Sequence, residues 1–308
     1  MARLATLALI PIIAYALSGI TSAQQPTFRS ETELVTFGVT VTDRRGNFIT
    51  DLTQDDFEVV EGDTRQSLKY FTRGAELHEG PEMHVGLLFD TSGSMGGDIQ
   101  LARSAAIKFL NTLSDARDIT LVDFDTEVRV SKYGQQDFPR LVERIRNRKP
   151  DGFTAMYDAL GLYLQGAELD DGRKILVLFT DGGDTRSTLS FADTMTLLRA
   201  SDATVYAVGF LENQPGSVRN LQRLRLSQIA TETGGEAFFP TSMKQIDSAY
   251  DKIVAQIRAQ YTLGYVSSIA AKDGRWRKVE IRVRRPDLKD LRIQTRKGYF
   301  APYEEPAR

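Results

Sequence analysis

The stretch Val85-Gly86-Leu87-Leu88-Phe89-Asp90-Thr91-Ser92-Gly93-Ser94 decides the fold that this chain is predicted to adopt. Its first half is a continuous apolar run, which is typical of a strand buried on both faces of a sheet. The run ends in a glycine-containing turn that carries one carboxylate and two hydroxyls at alternate positions, Asp90, Ser92 and Ser94. Alternate side chains of an extended or turning segment can converge on one point, and three converging oxygens indicate a hard cation.

A second apolar run, at 175–179, ends in the same manner, with Thr180-Asp181-Gly182-Gly183-Asp184. Between the two runs, Thr154 supplies another hydroxyl in a loop that precedes a helical stretch. Asp and Ser also favour turns and helix entrances for local hydrogen-bonding reasons, so capped turns without a metal are the alternative interpretation. Five oxygen-bearing side chains, two of them at the ends of apolar runs, favour the metal interpretation.

These positions resemble the metal-ion-dependent adhesion site of the von Willebrand factor A (VWA) family, which has the pattern D-x-S-x-S, then a threonine, then an aspartate. The matching residues are Asp90, Ser92, Ser94, Thr154 and Asp181. The resemblance implies a doubly wound, mostly parallel sheet with the metal at the carboxyl ends of its strands. It also implies that an acidic residue of a protein partner completes the coordination of the ion.

The region from Met83 to Gln260 alternates strand-like and helix-like segments, which itself predicts an α/β sheet with helices on both faces. Strands are predicted at 85–89, 119–124, 127–130, 175–179 and 204–208. Helices are predicted after Asp98 and at 156–169, 221–233 and 243–261.

The two flanks of this region contain segments in which apolar and polar residues alternate, which predicts β-strands. Strands are predicted at 35–41, 57–60, 66–71, 261–266, 278–284 and 292–295. Because about three strands are marginal for an independent core, we expect both flanks to pair into one smaller, β-sandwich-like domain in which the VWA domain is inserted. The predicted boundaries are 1–23 for a signal peptide, 24–78 and 261–303 for the β-domain, and 79–260 for the VWA domain.

Short patterns in the flanks extend the resemblance to exported VWA-related proteins common in Acidobacteria. They are Val41-Thr42-Asp43, Gly46, Leu52-Thr53, Asp56-Phe57 and the segment 296–302. With these patterns the resemblance covers nearly the whole chain after the predicted signal peptide, and it implies secretion.

The N-terminus has the pattern of a cleaved secretion signal. Arg3 supplies a positive charge, residues 4–17 form an apolar core, and Thr21-Ser22-Ala23 offers small residues for cleavage. The alternative is an uncleaved anchor, but the apolar run is shorter than the ~20 residues that span a bilayer, and Pro11 interrupts it. We therefore predict an exported protein, periplasmic or secreted, with no membrane span after cleavage.

The composition excludes several classes of function. The 39 basic and 41 acidic residues nearly cancel, so overall charge does not favour a nucleic-acid partner. The absence of cysteine excludes thiol catalysis, disulfides and zinc–thiolate sites. The two histidines, His78 and His84, are expected to be structural, and the basic cluster around Trp276 to be a solvated strand face.

Three classes of function follow, and the leading one is a non-enzymatic, metal-dependent protein-binding module for adhesion or assembly. Its cation is predicted to be Mg²⁺, with Ca²⁺ or Mn²⁺ as alternatives, and its partner to be a protein that presents Asp or Glu. A structural envelope protein with a loop-stabilising metal is the second class. A metal-dependent hydrolase is the third, although the sequence contains no G-x-S-x-G nucleophile motif and no Walker A loop.

Overall fold

The computed structural model describes residues 34–74, 81–112, 115–269 and 271–305. The predicted signal peptide and His78 lie outside the described residues. The strands within them are β1 Leu34–Thr42, β2 Phe57–Glu61, β3 Thr64–Gln66, β4 Leu68–Arg73, β5 Met83–Asp90, β6 Asp118–Phe124, β7 Val128–Gly134, β8 Arg173–Thr180, β9 Thr204–Gly209, β10 Ala237–Phe238, β11 Tyr261–Val266, β12 Trp276–Val283, β13 Arg292–Gln294 and β14 Gly298–Phe300. The α-helices are α1 Ile99–Thr112, α2 Phe138–Asn147, α3 Met156–Ala167, α4 Phe191–Ala200, α5 Gly216–Glu232 and α6 Met243–Ala259.

The central sheet has six strands in the order β10-β9-β8-β5-β6-β7. All neighbours are parallel except β7, which pairs antiparallel with β6 through a tight turn. β5 and β8, which carry the two apolar runs, are adjacent in the sheet, and every residue of both strands is buried. The predicted doubly wound, mostly parallel sheet is therefore confirmed.

Alternation along the central strands divides the interior into two cores. On β5, Leu87 and Phe89 belong to a core that also contains residues of α1 and α6. Leu88, which points the opposite way, belongs to a second core with residues of α3 and α4. Helices cover both faces, so the strands have to be apolar almost throughout.

The flanks form two antiparallel sheets of four strands, β13-β1-β11-β4 and β14-β12-β2-β3. In each of them strands from before residue 80 pair with strands from after residue 260, as in β1 with β11 and β2 with β12. Both sheets contribute to a third core, which includes Phe37, Val59 and Ile281. The pairing of the flanks that we expected is present, and the exact domain boundaries remain a prediction.

Several details of the predicted elements were wrong or missing. The predicted strand 66–71 is two strands in different sheets, since Gln66 pairs with Val59 and Leu68 pairs with Tyr265. α2 was not predicted, although its apolar residues Phe138, Leu141, Val142 and Ile145 recur at helical spacing. α4 was missed as well, although the capping box at its start was a readable signal.

Two arginines, Arg173 and Arg296, lie where the central region meets the antiparallel sheets. Gln260 alone separates α6 from β11, and Arg173 Nη2 donates to the Ile257 carbonyl at 2.8 Å and to Gln260 Oε1 at 3.0 Å. Arg296 donates to the carbonyl of Ser201 at 3.0 Å and to that of Thr36 at 2.7 Å. The C-terminal end of α6 is thereby fixed at the edge of the sheet opposite to the one where β5 ends.

Candidate metal centre

The five predicted ligand residues lie at the carboxyl ends of the central strands. Asp90 is the last residue of β5, and Asp181 directly follows β8. Ser92 and Ser94 lie in the turn after β5, and Thr154 precedes α3 by two residues. All are buried except Ser94, which is exposed. Because β5 and β8 are neighbouring parallel strands, Asp90 and Asp181 reach the same point of the edge.

Short contacts join four of these residues. The Ser92 amide donates to Asp90 Oδ1 at 2.9 Å, and the hydroxyls of Ser92 and Ser94 are 3.1 Å apart. Burial raises the pKa of Asp181, and a hydrogen bond from the Ser94 hydroxyl to this carboxylate partly offsets the rise. The side-chain oxygens of these four residues therefore lie next to one another, in the order Asp90, Ser92, Ser94 and Asp181.

Thr154 is tied to this turn through its loop. The Gly93 amide donates to the Gly152 carbonyl at 3.1 Å, and the Asp151 amide donates to the Thr91 carbonyl at 2.9 Å. On its other side, the Thr154 carbonyl accepts from the Thr185 amide at 2.9 Å. No side-chain hydrogen bond links Thr154 to the other four predicted ligands among the described residues, so only its loop brings it beside them.

The two carboxylates carry charge that the described residues leave uncompensated. Burial, and then the charge of Asp181, raise the pKa of Asp90 to about 7. Burial also raises the pKa of Asp181. Within the described ranges, neither carboxylate forms an ion pair with a lysine, arginine or histidine. Buried acids normally have such a partner, so this pair of carboxylates is suited to binding a cation.

Two further residues position the carboxylates and were not predicted from the sequence. Thr180 Oγ1 donates to Asp90 Oδ2 at 2.6 Å and accepts from the Gly182 amide at 2.9 Å. Gln214 Nε2 donates to Asp181 Oδ2 at 3.0 Å. Both oxygens of Asp90 thus receive hydrogen bonds. A carboxylate has about four lone-pair sites, so it keeps acceptor capacity for a metal. The donor set therefore fits an oxygen-preferring divalent ion.

A buried cluster of charges holds α2 and the start of the Thr154 loop. Asp123, on β6, accepts from Arg144 Nη2 at 2.7 Å and from Arg148 Nε at 2.6 Å. Arg129 Nη1 lies at 3.5 Å from the same carboxylate. Since Arg148 immediately follows α2, this contact fixes the point from which residues 148–154 run towards the metal centre.

The loop before Thr154 depends on a glycine. Gly152 has φ +72°, and a Cβ built on it would lie 2.3 Å from Thr126 Oγ1. The Thr126 hydroxyl meanwhile accepts the Phe153 amide at 2.9 Å, so it cannot simply move away. Phe153 itself is 63 % exposed, although the backbone around it is well bonded.

We expect Gly152→Ala to lower the free energy of unfolding by about 1–3 kcal/mol, because alanine is strained at positive φ and would displace Thr126. The variant should also bind Mg²⁺ more weakly, since the displaced loop carries Thr154. Urea unfolding and calorimetry measure the two effects. Gly134→Ala is the matched control, because Gly134 has φ −76° and open space around its Cβ position. Equal stability of the two variants would contradict this account of the loop.

A second group of possible metal ligands lies at the opposite edge of the central sheet. His84, Asp118 and Asp170 offer ligand atoms that all lie within 4.8 Å of one another. Lys132 Nζ is 3.2 Å from Asp118 and 2.7 Å from Asp170, and His84 Nδ1 is 3.0 Å from Asp118. Both carboxylates already face an ammonium group here, in contrast to Asp90 and Asp181.

Two other acids near the metal centre bond to the backbone of loops. Asp184 accepts from the Tyr157 amide at 3.0 Å and from the Ser187 hydroxyl at 2.6 Å. Asp158 accepts from the amides of Thr188 and Leu189, each at 2.9 Å. These contacts hold the 184–189 segment against α3. Asp184 therefore caps the turn that follows it.

Comparison with known proteins places the central region in a family. The profile of the von Willebrand factor type A domain matches residues 84–252, which is more than half of the chain. A comparison with curated proteins gave no match. No helix among the described residues is long and apolar enough to cross a membrane.

Several solved structures are similar at low sequence identity. A von Willebrand factor type A protein from Catenulispora acidiphila has 14 % identity over 91 % of this chain and 76 % of its own, with a TM-score of 0.49. The vWF domain of the type V pili tip protein Mfa5 from Porphyromonas gingivalis has 14 % identity over 58 % of this chain and 95 % of its own, with a TM-score of 0.48. The PilB minor pilin from Streptococcus sanguinis has 17 % identity over 58 % of this chain, with a TM-score of 0.47, and the match spans 62 % of that pilin.

Proposed function

Because this chain belongs to the von Willebrand factor type A domain family, we propose that it is a metal-dependent protein-binding module of adhesion or assembly. The observation that carries the proposal is the pair of buried carboxylates, Asp90 and Asp181, which have no basic partner among the described residues. A divalent cation supplies the missing charge. It also leaves a coordination position for an acidic residue of a partner.

The residues that would hold the ion are Asp90, Ser92, Ser94, Thr154 and Asp181. Two carboxylates balance one divalent charge, and three hydroxyls add neutral oxygens, a donor set that suits Mg²⁺ and is compatible with Ca²⁺ or Mn²⁺. Ser94 is exposed, while Asp90 and Asp181 are both buried. A partner carboxylate would therefore approach from the Ser94 side of the centre.

A binding role fits the site better than the two alternatives. The loop of Thr154 is held by backbone bonds to Thr91 and Gly93, so its order does not require a metal. This argues against a purely loop-stabilising ion. For a hydrolase, a general base is needed beside the metal-bound water. Asp184, the nearest further acid along the chain, already accepts three hydrogen bonds, so we propose a non-enzymatic module.

Export belongs to the same proposal. The pattern at 1–23 favours a cleaved signal, and a periplasmic or secreted location would bring the module to its partners. We also propose that the two antiparallel sheets form a second domain, with boundaries at 24–78 and 261–303. The binding domain is inserted between these two parts of the chain.

The experiment uses beads that carry a peptide with one aspartate, and matched beads in which asparagine replaces it. The purified protein should bind the aspartate beads in Mg²⁺ and be released from them by EDTA. It should not bind the asparagine beads. Asp181→Asn should abolish the capture. Asp137→Asn, at a partly exposed acid that pairs with Arg140, should leave it unchanged. Capture that persists in EDTA would contradict a metal bridge.

A further inference from the structure

A groove of about 1010 Å³ follows one face of α3, and this volume is of the size that holds a ligand. Its floor consists of α3-face residues at helical spacing, namely Ala155, Asp158, Leu162, Gln165 and Glu168. One wall is the β6–β7 hairpin with Thr126 and Val128, and the other is formed by Leu189 and Leu197. The groove is thus a channel along a helix, open to solvent on one side.

The middle of the groove presents apolar surface. Leu162 is 46 % exposed and Leu197 is 37 % exposed, and they lie on opposite sides of Gly161. Leu189 and Val128 pack partly on the core beneath. An apolar side chain laid between these residues would remove their surface from water, which favours binding.

One end of the groove lies beside the metal centre. Thr126, in the wall, accepts the amide of Phe153, the neighbour of Thr154, at 2.9 Å. Arg186, also in the wall, donates its amide to the Thr154 carbonyl at 3.0 Å. A partner chain that places an acid on the metal can therefore continue directly into the groove.

The two ends carry opposite charges that are free to bind a ligand. The Arg186 side chain, near Thr154, and the Glu168 side chain, just beyond α3, are both exposed. Neither forms an ion pair with any residue in the described part of the chain. The groove therefore offers a positive group at the metal end and a negative group at the far end.

The length of the groove sets the spacing of a complementary ligand. Glu168 lies thirteen positions after Ala155, and at 1.5 Å per position along the helix they are about 20 Å apart along the axis. An extended chain advances about 3.3 Å per residue, so about six residues cover this distance.

We propose that the groove holds an extended segment of the protein partner, in which the metal-bound acid is followed by apolar residues and, about six residues on, by a lysine or arginine. This inference rests on the proposed function, because the acid on the metal sets the register of the segment. The apolar residues lie between Leu162 and Leu197, and the terminal cation pairs with Glu168.

The test compares three labelled heptapeptides by fluorescence anisotropy in Mg²⁺. The first has aspartate at the first position, leucine at the third and fifth, lysine at the seventh, and glycine elsewhere. The second keeps only the aspartate among glycines, and the third has glutamate in place of the lysine. We expect the first peptide to bind about tenfold tighter than the second, from the burial of its leucines. The third should bind more weakly than the first.

Variants assign these differences to the groove. Leu197→Ser should remove the advantage of the first peptide over the second, and Glu168→Lys should reverse the preference between the first and third. Leu224→Ser, at a residue of α5 that is 55 % exposed and not part of the groove, is the control and should change neither.

Equal binding of the first two peptides would overturn the groove assignment and leave the metal-dependent function standing. A preference that survives Leu197→Ser would also overturn the assignment. If no peptide binds in Mg²⁺, the proposed function fails, and the groove inference fails with it.

Discussion

Asp90→Ala and Asp181→Ala are each expected to abolish Mg²⁺ binding in calorimetry while the fold stays intact. Each residue supplies one of the two negative charges of the site, and removing either leaves a divalent ion half-compensated. The fold should persist because both residues terminate strands that are paired on both sides within the central sheet.

The same experiment gives a stability readout. At a Mg²⁺ concentration one hundred times its dissociation constant, binding should raise the free energy of unfolding of the unmodified protein by about 2.7 kcal/mol. Neither variant should respond to the ion. Asp137→Ala, at a partly exposed acid that is not part of the site, should respond like the unmodified protein. If either variant binds Mg²⁺ with the affinity of the unmodified protein, the substituted residue is not a ligand of the site.

The metal-free protein is expected to become less stable as the pH rises from 5 to 8. The pKa of Asp90 is about 7 in the folded protein, compared with 3.8 for a free carboxyl, so the folded state holds a proton that the unfolded chain has already lost. Between these values deprotonation is more costly in the folded state. Of the difference of roughly three pKa units, about two lie above pH 5, which corresponds to an upper limit of about 3 kcal/mol over this range.

Other titrating acids should not mask this trend. The pKa values of Asp193, Asp273 and Asp287 are lowered by hydrogen bonds, so their stabilising effect is lost only as the pH falls below about 4. Asp181, whose pKa is raised by burial, acts in the same direction as Asp90.

Urea unfolding in EDTA at pH 5, 6, 7 and 8 measures the effect. Saturating Mg²⁺ should oppose the loss of stability at the higher pH values, because it neutralises the ionised pair. Asp90→Asn should flatten most of the dependence, since the amide does not titrate. Stability that is constant or rises across this range in EDTA would contradict the assigned proton on Asp90.

The positions of the predicted ligands followed from strand patterns. Asp90 and Asp181 each close an apolar run, and neighbouring parallel strands bring such ends together at one edge. The sequence predicted that Thr154 lies in a loop beside them. Nothing in the local sequence predicted which hydrogen bonds hold that loop in place. Its bonds run to Thr91 and Gly93, and these depend on the tertiary arrangement.

The supporting residues were less accessible to sequence reasoning. Thr180 lies between Phe179 and Asp181, and its position before a predicted ligand was an available signal. Gln214 carries no such signal, because it reaches Asp181 from the loop after β9. In the sequence alone, the arginines around Asp123 have the pattern of solvated residues on the surface of a helix. Only the packing of α2 on β6 reveals that two of them neutralise a buried acid.

The pairing of distant strands has a consequence for how the chain reaches its native state. β1 and β2 are made early, yet their partners β11 and β12 lie beyond the whole central region, and Arg296 bonds to Thr36 across 260 residues. Closing so long a loop is entropically costly unless the intervening chain is already compact. The central α/β region, whose neighbouring strands pair over shorter separations, is therefore expected to fold first and bring the early and late strands within reach of each other. Until the last strands emerge, the edges of β1 and β2 stay open to other chains, so this interval is when the protein is most exposed to aggregation.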